Sequence, residues 1–175
     1  MTIKVLEKVE GCMPRISDNG EWIDLFTAED VVLKAPFAAT LQKKKKENEV
    51  ERTRKVFFNN AIINLGVAMK LPKGYEAVVA PRSSTFKKWR ILQNNSLGVI
   101  DNSYCGNDDV WRMPVVATMD VTIPKGTRLC QFRVQLSQKA TVLQKLKWLF
   151  TSSVKLKKVQ NLSDNNRGGF GTSGN

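Results

Sequence analysis

In the stretch "GVIDNSYCG", 98–106, Asp101 follows directly on an apolar run, Leu97 to Ile100. A carboxylate at the end of a strand has two uses. It can open a turn, because Asp and Asn side chains bond the backbone two residues on. It can also stand at the rim of a pocket and take a proton from water. Asn95 lies before it and Tyr104 after it, so a bend between them would gather an amide, a carboxylate and a ring. "APRSST", 80–85, offers Arg82, Ser83 and Ser84. A guanidinium, hydroxyls and exposed amides suit phosphate oxygens, although a plain turn would carry the same residues. In "PKGTRLCQF", 124–132, Gln131 either points out of a strand, bonds a neighbouring strand, or meets a ligand. Asp24 lies between Ile23 and Leu25 in "WIDLF", so its carboxylate must leave the core or enter a polar pocket. "RGGFG", 167–171, could lay amides and Arg167 on phosphates and Phe170 over a base. The two common glycine-rich phosphate loops are absent.

Composition narrows the chemistry. The chain has 175 residues, 42% of them apolar, which suits one domain with a single core. Its net charge is +12, which favours an anionic partner: a nucleotide, a nucleic acid or an acidic surface. It contains no histidine, which excludes Ser–His triads and most transition-metal sites. A base would therefore be a carboxylate, and a metal would be oxygen-liganded magnesium. Cys12, Cys105 and Cys130 are too few and too scattered for a disulfide framework. No apolar run is long enough to span a membrane and the N-terminus lacks a signal-peptide core, so a cytoplasmic protein is expected.

The elements that must position these groups read as β. Short runs rich in Val, Ile and Phe recur at 31–34, 55–58, 61–71, 76–80, 97–100, 113–123 and 129–136, with "PKGY" and "PKGT" turns between some of them. That pattern predicts a sandwich or barrel. The charged stretch 42–55 reads as a solvated hairpin tip, with a nucleic-acid contact as the other reading. The segment 139–150 fits either a helical face or strand alternation; it reads as a packed extra element over about 139–153, with partner binding as the other reading. The polar, glycine-rich tail 163–175 has too little apolar surface to order itself, which sets it apart from a domain over 1–162.

Taken in order, these stretches resemble the five motifs of the homotrimeric deoxyuridine triphosphatase (dUTPase) family. "WIDLFTA" at 22–28 is similar to the first, "PRSS" at 81–84 to the second and "NSLGVIDNSYCG" at 95–106 to the third. "PKGTRLCQF" is similar to the fourth and "RGGFGTSG" at 167–174 to the fifth. The resemblance implies an all-β, jelly-roll-like fold, a flexible C-terminal arm, and a C3 trimer with shared active sites. It implies hydrolysis of dUTP to dUMP and pyrophosphate with Mg2+. Asp101 would activate the attacking water, and Tyr104 would lie under the deoxyribose. Asn95 and the backbone through Val99 and Ile100 would read uracil. Arg82, Ser83, Ser84 and Gln131 would hold phosphates, and Asp24 would hold magnesium through water. Arg167 would neutralise phosphate charge, Phe170 would stack on uracil with Gly171 also binding substrate, and Thr172 and Ser173 would meet the terminal phosphate. Ser84 stands where glycine is usual, and the spacing from Arg167 to Phe170 is short for such an arm. A dCTP deaminase, or a regulatory or nucleic-acid-binding protein on the same scaffold, is the alternative.

Overall fold

A computed structural model describes residues 1–17, 20–46, 49–151 and 153–169. Its strands, in chain order, are β1 (Thr2–Glu7), β2 (Arg15–Ile16), β3 (Ile23–Phe26), β4 (Val31–Leu33), β5 (Phe37–Lys46), β6 (Glu49–Phe57), β7 (Asn60–Lys70) and β8 (Tyr75–Pro81). Helix α1 (Thr85–Trp89) follows, then β9 (Ile91–Gln93), β10 (Gly98–Ile100), β11 (Val110–Ala117), β12 (Val121–Ile123) and β13 (Arg128–Leu136). Helix α2 (Val142–Leu149) and β14 (Lys155–Lys158) complete the order. One sheet runs β14-β1-β7-β11-β9 and a second β10-β8-β13-β3-β2. The expected all-β fold is what forms, with two short helices added.

Alternation builds the core. Ile63, Leu65, Val67 and Met69 of β7 are buried, as are Trp111, Met113, Val115 and Ala117 of β11. Side chains two apart share a face of a strand, so both strands turn one apolar row inward. The two sheets meet where Trp111 packs edge-on against Phe132, with ring centroids 5.0 Å apart. Both rings are fully buried. Trp111→Ala would cost about 3–5 kcal/mol, because the cavity cannot collapse completely. In β13 the register shifts between Arg128 and Cys130, and both Leu129 and Cys130 turn inward there. Such a bulge re-aims the residues beside it.

One element differs from the sequence pattern, and two others take a form the sequence allowed. The apolar run 113–123 is broken between β11 and β12, and β12 leaves the sheet to pair with β4. The charged stretch 42–55 lies within a long hairpin, β5 with β6, closed at its base by Phe37 stacked on Phe57 at 5.3 Å. The ambiguous segment holds α2. Thr141 and Gln144 form a capping box there, satisfying two backbone N–H groups at the helix start. Trp148 reaches back to Tyr75 at 5.6 Å. Among the described residues, no helix is long and apolar enough to cross a membrane.

Candidate active site

Strand β10 pairs antiparallel with β8, Gly98 opposite Val79 and Ile100 opposite Ala77. The pairing stops at Asp101, and a bend opens. The Tyr104 N–H donates to the Asp101 carbonyl at 3.1 Å. Oδ1 of Asp101 accepts the Ser103 N–H at 3.0 Å and the Ser103 hydroxyl. Oδ2 accepts from Arg167 Nη1 at 2.5 Å. Asp101 is thus a turn residue and a pocket residue at once. Partial burial pushes its pKa up. The Ser103 bonds and the Arg167 charge outweigh that and hold the carboxyl below the usual carboxylate range. It is ionised at neutral pH, the state a general base needs.

A cavity of about 270 Å³ lies in front of Asp101, walled by Asn95, Val99, Ile100, Tyr104 and Arg167. The Tyr104 hydroxyl donates to the Val110 carbonyl at 2.9 Å, which fixes the ring beside the carboxylate. Burial pushes the phenol up, so it stays a neutral donor. Trp111, next to Val110, roots that carbonyl in the core. Asn95 Oδ1 accepts from Gln93 Nε2 at 2.8 Å. That leaves the Asn95 amide nitrogen as the end that can face a ligand.

A second cluster forms at the far end of β8. Asp24 is 1% exposed. Its Oδ1 accepts from Arg82 and its Oδ2 from Arg128 at 3.3 Å. Gln131 stands opposite both Asp24 and Ala80, and alternation puts Arg82 on the same face. Ser83 is exposed and Ser84 heads α1 without a side-chain cap bond. Asp101 continues β10 past Ala77, while Arg82 lies just beyond Pro81. At ~3.3 Å per residue the two ends stand about 20 Å apart. Within one chain, then, Asn95, Val99, Ile100, Asp101, Tyr104 and Arg167 come together. Asp24, Arg82, Ser83, Ser84 and Gln131 gather elsewhere. Phe170, Gly171, Thr172 and Ser173 lie outside the described residues.

Four side chains escaped the sequence reading. Gln93 and Arg112 line the cavity, and Arg128 shares Asp24. Arg112 could have been found, since alternation between buried Trp111 and Met113 must turn it outward. Asp109 had no such signal. It is fully buried, and its carboxylate accepts the N–H groups of Gly106, Arg167 and Gly168 at 2.8–3.0 Å. Burial pushes its pKa up, but these backbone bonds prevail and hold it low.

No group of three or more His, Cys, Asp or Glu among the described residues could hold a metal ion. Asp24 does not suit direct ligation, being buried under two guanidinium groups. A carboxylate accepts about four hydrogen bonds, but this one is 1% exposed, so a metal-bound water would reach it once one guanidinium gives way.

The family model for dUTPase matches residues 48–174. The chain belongs to the dUTPase family. This dUTPase is 38% identical over 172 residues to the SPbeta prophage-derived deoxyuridine 5'-triphosphate nucleotidohydrolase of Bacillus subtilis (strain 168), spanning 98% of this chain and 96% of the relative. Its fold is similar to that of a dUTPase from Streptococcus mutans, with a TM-score of 0.58 at 18% identity over 81% of this chain and 99% of that one. A mutant dUTPase from phage phi11 of S. aureus also matches, with a TM-score of 0.58 at 19% identity over 81% and 95% of the two chains. That structure is described as revealing the coordination of a structural Mg(II) ion. At these identities the solved structures speak for the fold of this dUTPase alone.

Proposed function

We propose that this dUTPase converts dUTP to dUMP and pyrophosphate by in-line attack of water on the α-phosphate, with Asp101 as the base. The observation that carries the reading is the meeting of Asp101, Asn95, Tyr104 and Arg167 around one cavity in a chain of this family. Phosphoryl chemistry asks for position, neutralised charge and an aligned water more than for a strong nucleophile. Asp101, ionised and half exposed, orients the water and takes its proton. Asn95 presents an N–H to the 4-oxo group of uracil. The Tyr104 ring forms the floor under the deoxyribose and leaves no room for a 2′-hydroxyl, a steric exclusion. Arg167 moves from the carboxylate to the incoming phosphates, which carry more charge.

Arg82, Ser83, Ser84 and Gln131 hold the triphosphate in this proposal, together with Arg128. Since these groups stand about 20 Å from Asp101 in their own chain, they serve the Asp101 of another copy. A closed three-fold assembly gives every subunit the same complete site. Phe170, Gly171, Thr172 and Ser173 close the arm over base and phosphates. Asp24 would hold a triphosphate-bound magnesium through water. When bound, magnesium supplies charge neutralisation on the phosphate oxygens.

The test is pyrophosphate release with dUTP, dCTP, dTTP and UTP side by side, with and without magnesium. Fast release from dUTP alone is expected. Ammonia release from dCTP would overturn the reading in favour of deamination. Sedimentation equilibrium tests the trimer, and an active monomer would exclude shared sites.

A further inference from the structure

Between β7 and β8 the chain turns at 71–74, and all four carbonyls of that stretch accept hydrogen bonds from distant parts of the chain. Asn102 Nδ2 donates to the Leu71 and Pro72 carbonyls, both at 2.8 Å. Gln144 Nε2, on α2, donates to the Lys73 carbonyl at 3.1 Å. The Ser137 N–H, just past β13, donates to the Gly74 carbonyl at 3.0 Å. The turn is closed by the Tyr75 N–H on the Pro72 carbonyl at 3.2 Å, with Gly74 at a φ of 87°, a position that favours glycine. Carbonyls only accept, so they settle which end of Asn102 faces them. Gln144 is held in its turn: its Oε1 accepts the Thr141 N–H at 2.8 Å. Trp148, on the same helix, packs on Tyr75.

Asn102 adjoins Asp101, and both line one groove with Lys73 and Gln144. The Ser103 and Tyr104 N–H groups donate to Asp101 and set the shape of its bend. Asn102 ties that shape to the start of β8. A base must keep its water at a narrow distance and angle, and a misplacement of about 1 Å can cost a hundredfold in rate. We infer that Asn102 is a positioning residue for the base: it holds the Asp101 bend on the 71–74 turn, and α2 braces that turn through Gln144. The inference rests on the dUTP-hydrolase reading for its rate tests, and on amide exchange without it.

The experiment measures kcat and KM for dUTP in full-length Asn102→Ala, Gln144→Ala and the double variant. Asn102→Ala should lower kcat about tenfold or more, because the base loses its placement. KM should change less than about twofold, since a loss confined to KM would mark a binding role and overturn the inference. In an Asp101→Asn background Asn102→Ala should lower the rate no further; a full further loss would mean that it acts by another route. Gln144→Ala should lower kcat by a smaller factor and add little to Asn102→Ala, since both act through one turn. An unchanged kcat in Gln144→Ala would overturn the brace. Hydrogen exchange followed by NMR supplies the readout without substrate. It should be several-fold faster at the Ser103 and Tyr104 amides of both single variants, while the amides of β11 keep their protection. Should Asn102→Ala fail to fold, Asn102→Ser, which keeps one donor, carries the same tests. Unchanged exchange at Ser103 and Tyr104 would sink the inference even if dUTP hydrolysis stands. Faster exchange there, with a wild type inactive on dUTP, would sink only the hydrolysis reading.

Discussion

Arg167 Nη1 lies 2.5 Å from Asp101 Oδ2, an ion pair between the proposed base and a residue far along the chain. The pair lies at the rim of the cavity with both side chains about half exposed, so either partner can exchange the other for substrate or water. This single contact links the bend after β10 to the arm after β14.

Asp101→Asn keeps the size and most bonds of the side chain but cannot accept a proton at neutral pH. Pyrophosphate release from dUTP should fall by about a hundredfold or more, the usual scale of general-base catalysis. The melting temperature should hardly change. A variant that turned over normally would remove Asp101 from the mechanism.

The pH response of Asp101 follows from the sign of its shift. The folded protein favours the ionised form, so the carboxylate persists to a pH below its ordinary value of 3.8. Arg167→Ala removes both a charge and a bond that lower the pKa, leaving burial opposed by Ser103 alone. The titration of the Asp101 carboxyl carbon, followed by NMR, should then move to higher pH. An unmoved titration would mean that the pair has no electrostatic consequence.

Gln93 sets the polarity of Asn95. Its Nε2 lies 3.4 Å from the Val79 carbonyl, which can only accept, and 2.8 Å from Asn95 Oδ1. The carbonyl orients Gln93, and Gln93 in turn leaves the Asn95 N–H end toward the cavity. Gln93→Leu frees Asn95 to turn over. The ratio of kcat/KM for dUTP over dCTP should narrow about tenfold, the worth of one hydrogen bond of about 1.4 kcal/mol. An unchanged ratio would leave Gln93 a packing residue.

Arg82→Ala leaves the buried Asp24 carboxylate with Arg128 as its remaining guanidinium partner. Breaking a buried pair from one side costs about 3 kcal/mol, and the remaining arginine should reduce that. Denaturant unfolding should show a loss on this scale, and KM for dUTP should rise. A large loss of stability with an unaltered KM would make the cluster structural only.

Much of this was legible in the chain order of residues. Alternation in β7 and β11 marks the core row because a strand's period is two, and the motif around Asp101 carries its own turn chemistry. The capping box of α2 was legible in principle, as Thr141 and Gln144 stand at the required spacing. What escaped were contacts set by the approach of distant segments. Arg128 reaches Asp24 across a bulge, and Asp109 meets the arm beyond β14, some 58 residues along the chain. Local sequence carries no record of such approaches.

By itself the sequence determined the β architecture, the absence of histidine chemistry and the identity of the groups able to bind phosphate or accept a proton. These depend on residue type and on short-range periodicity. Only the tertiary structure decided which groups share a site. It drew Arg167 onto Asp101 and kept Arg82 and Asp24 about 20 Å from them, because sheet register, and not order along the chain, sets the distance between side chains.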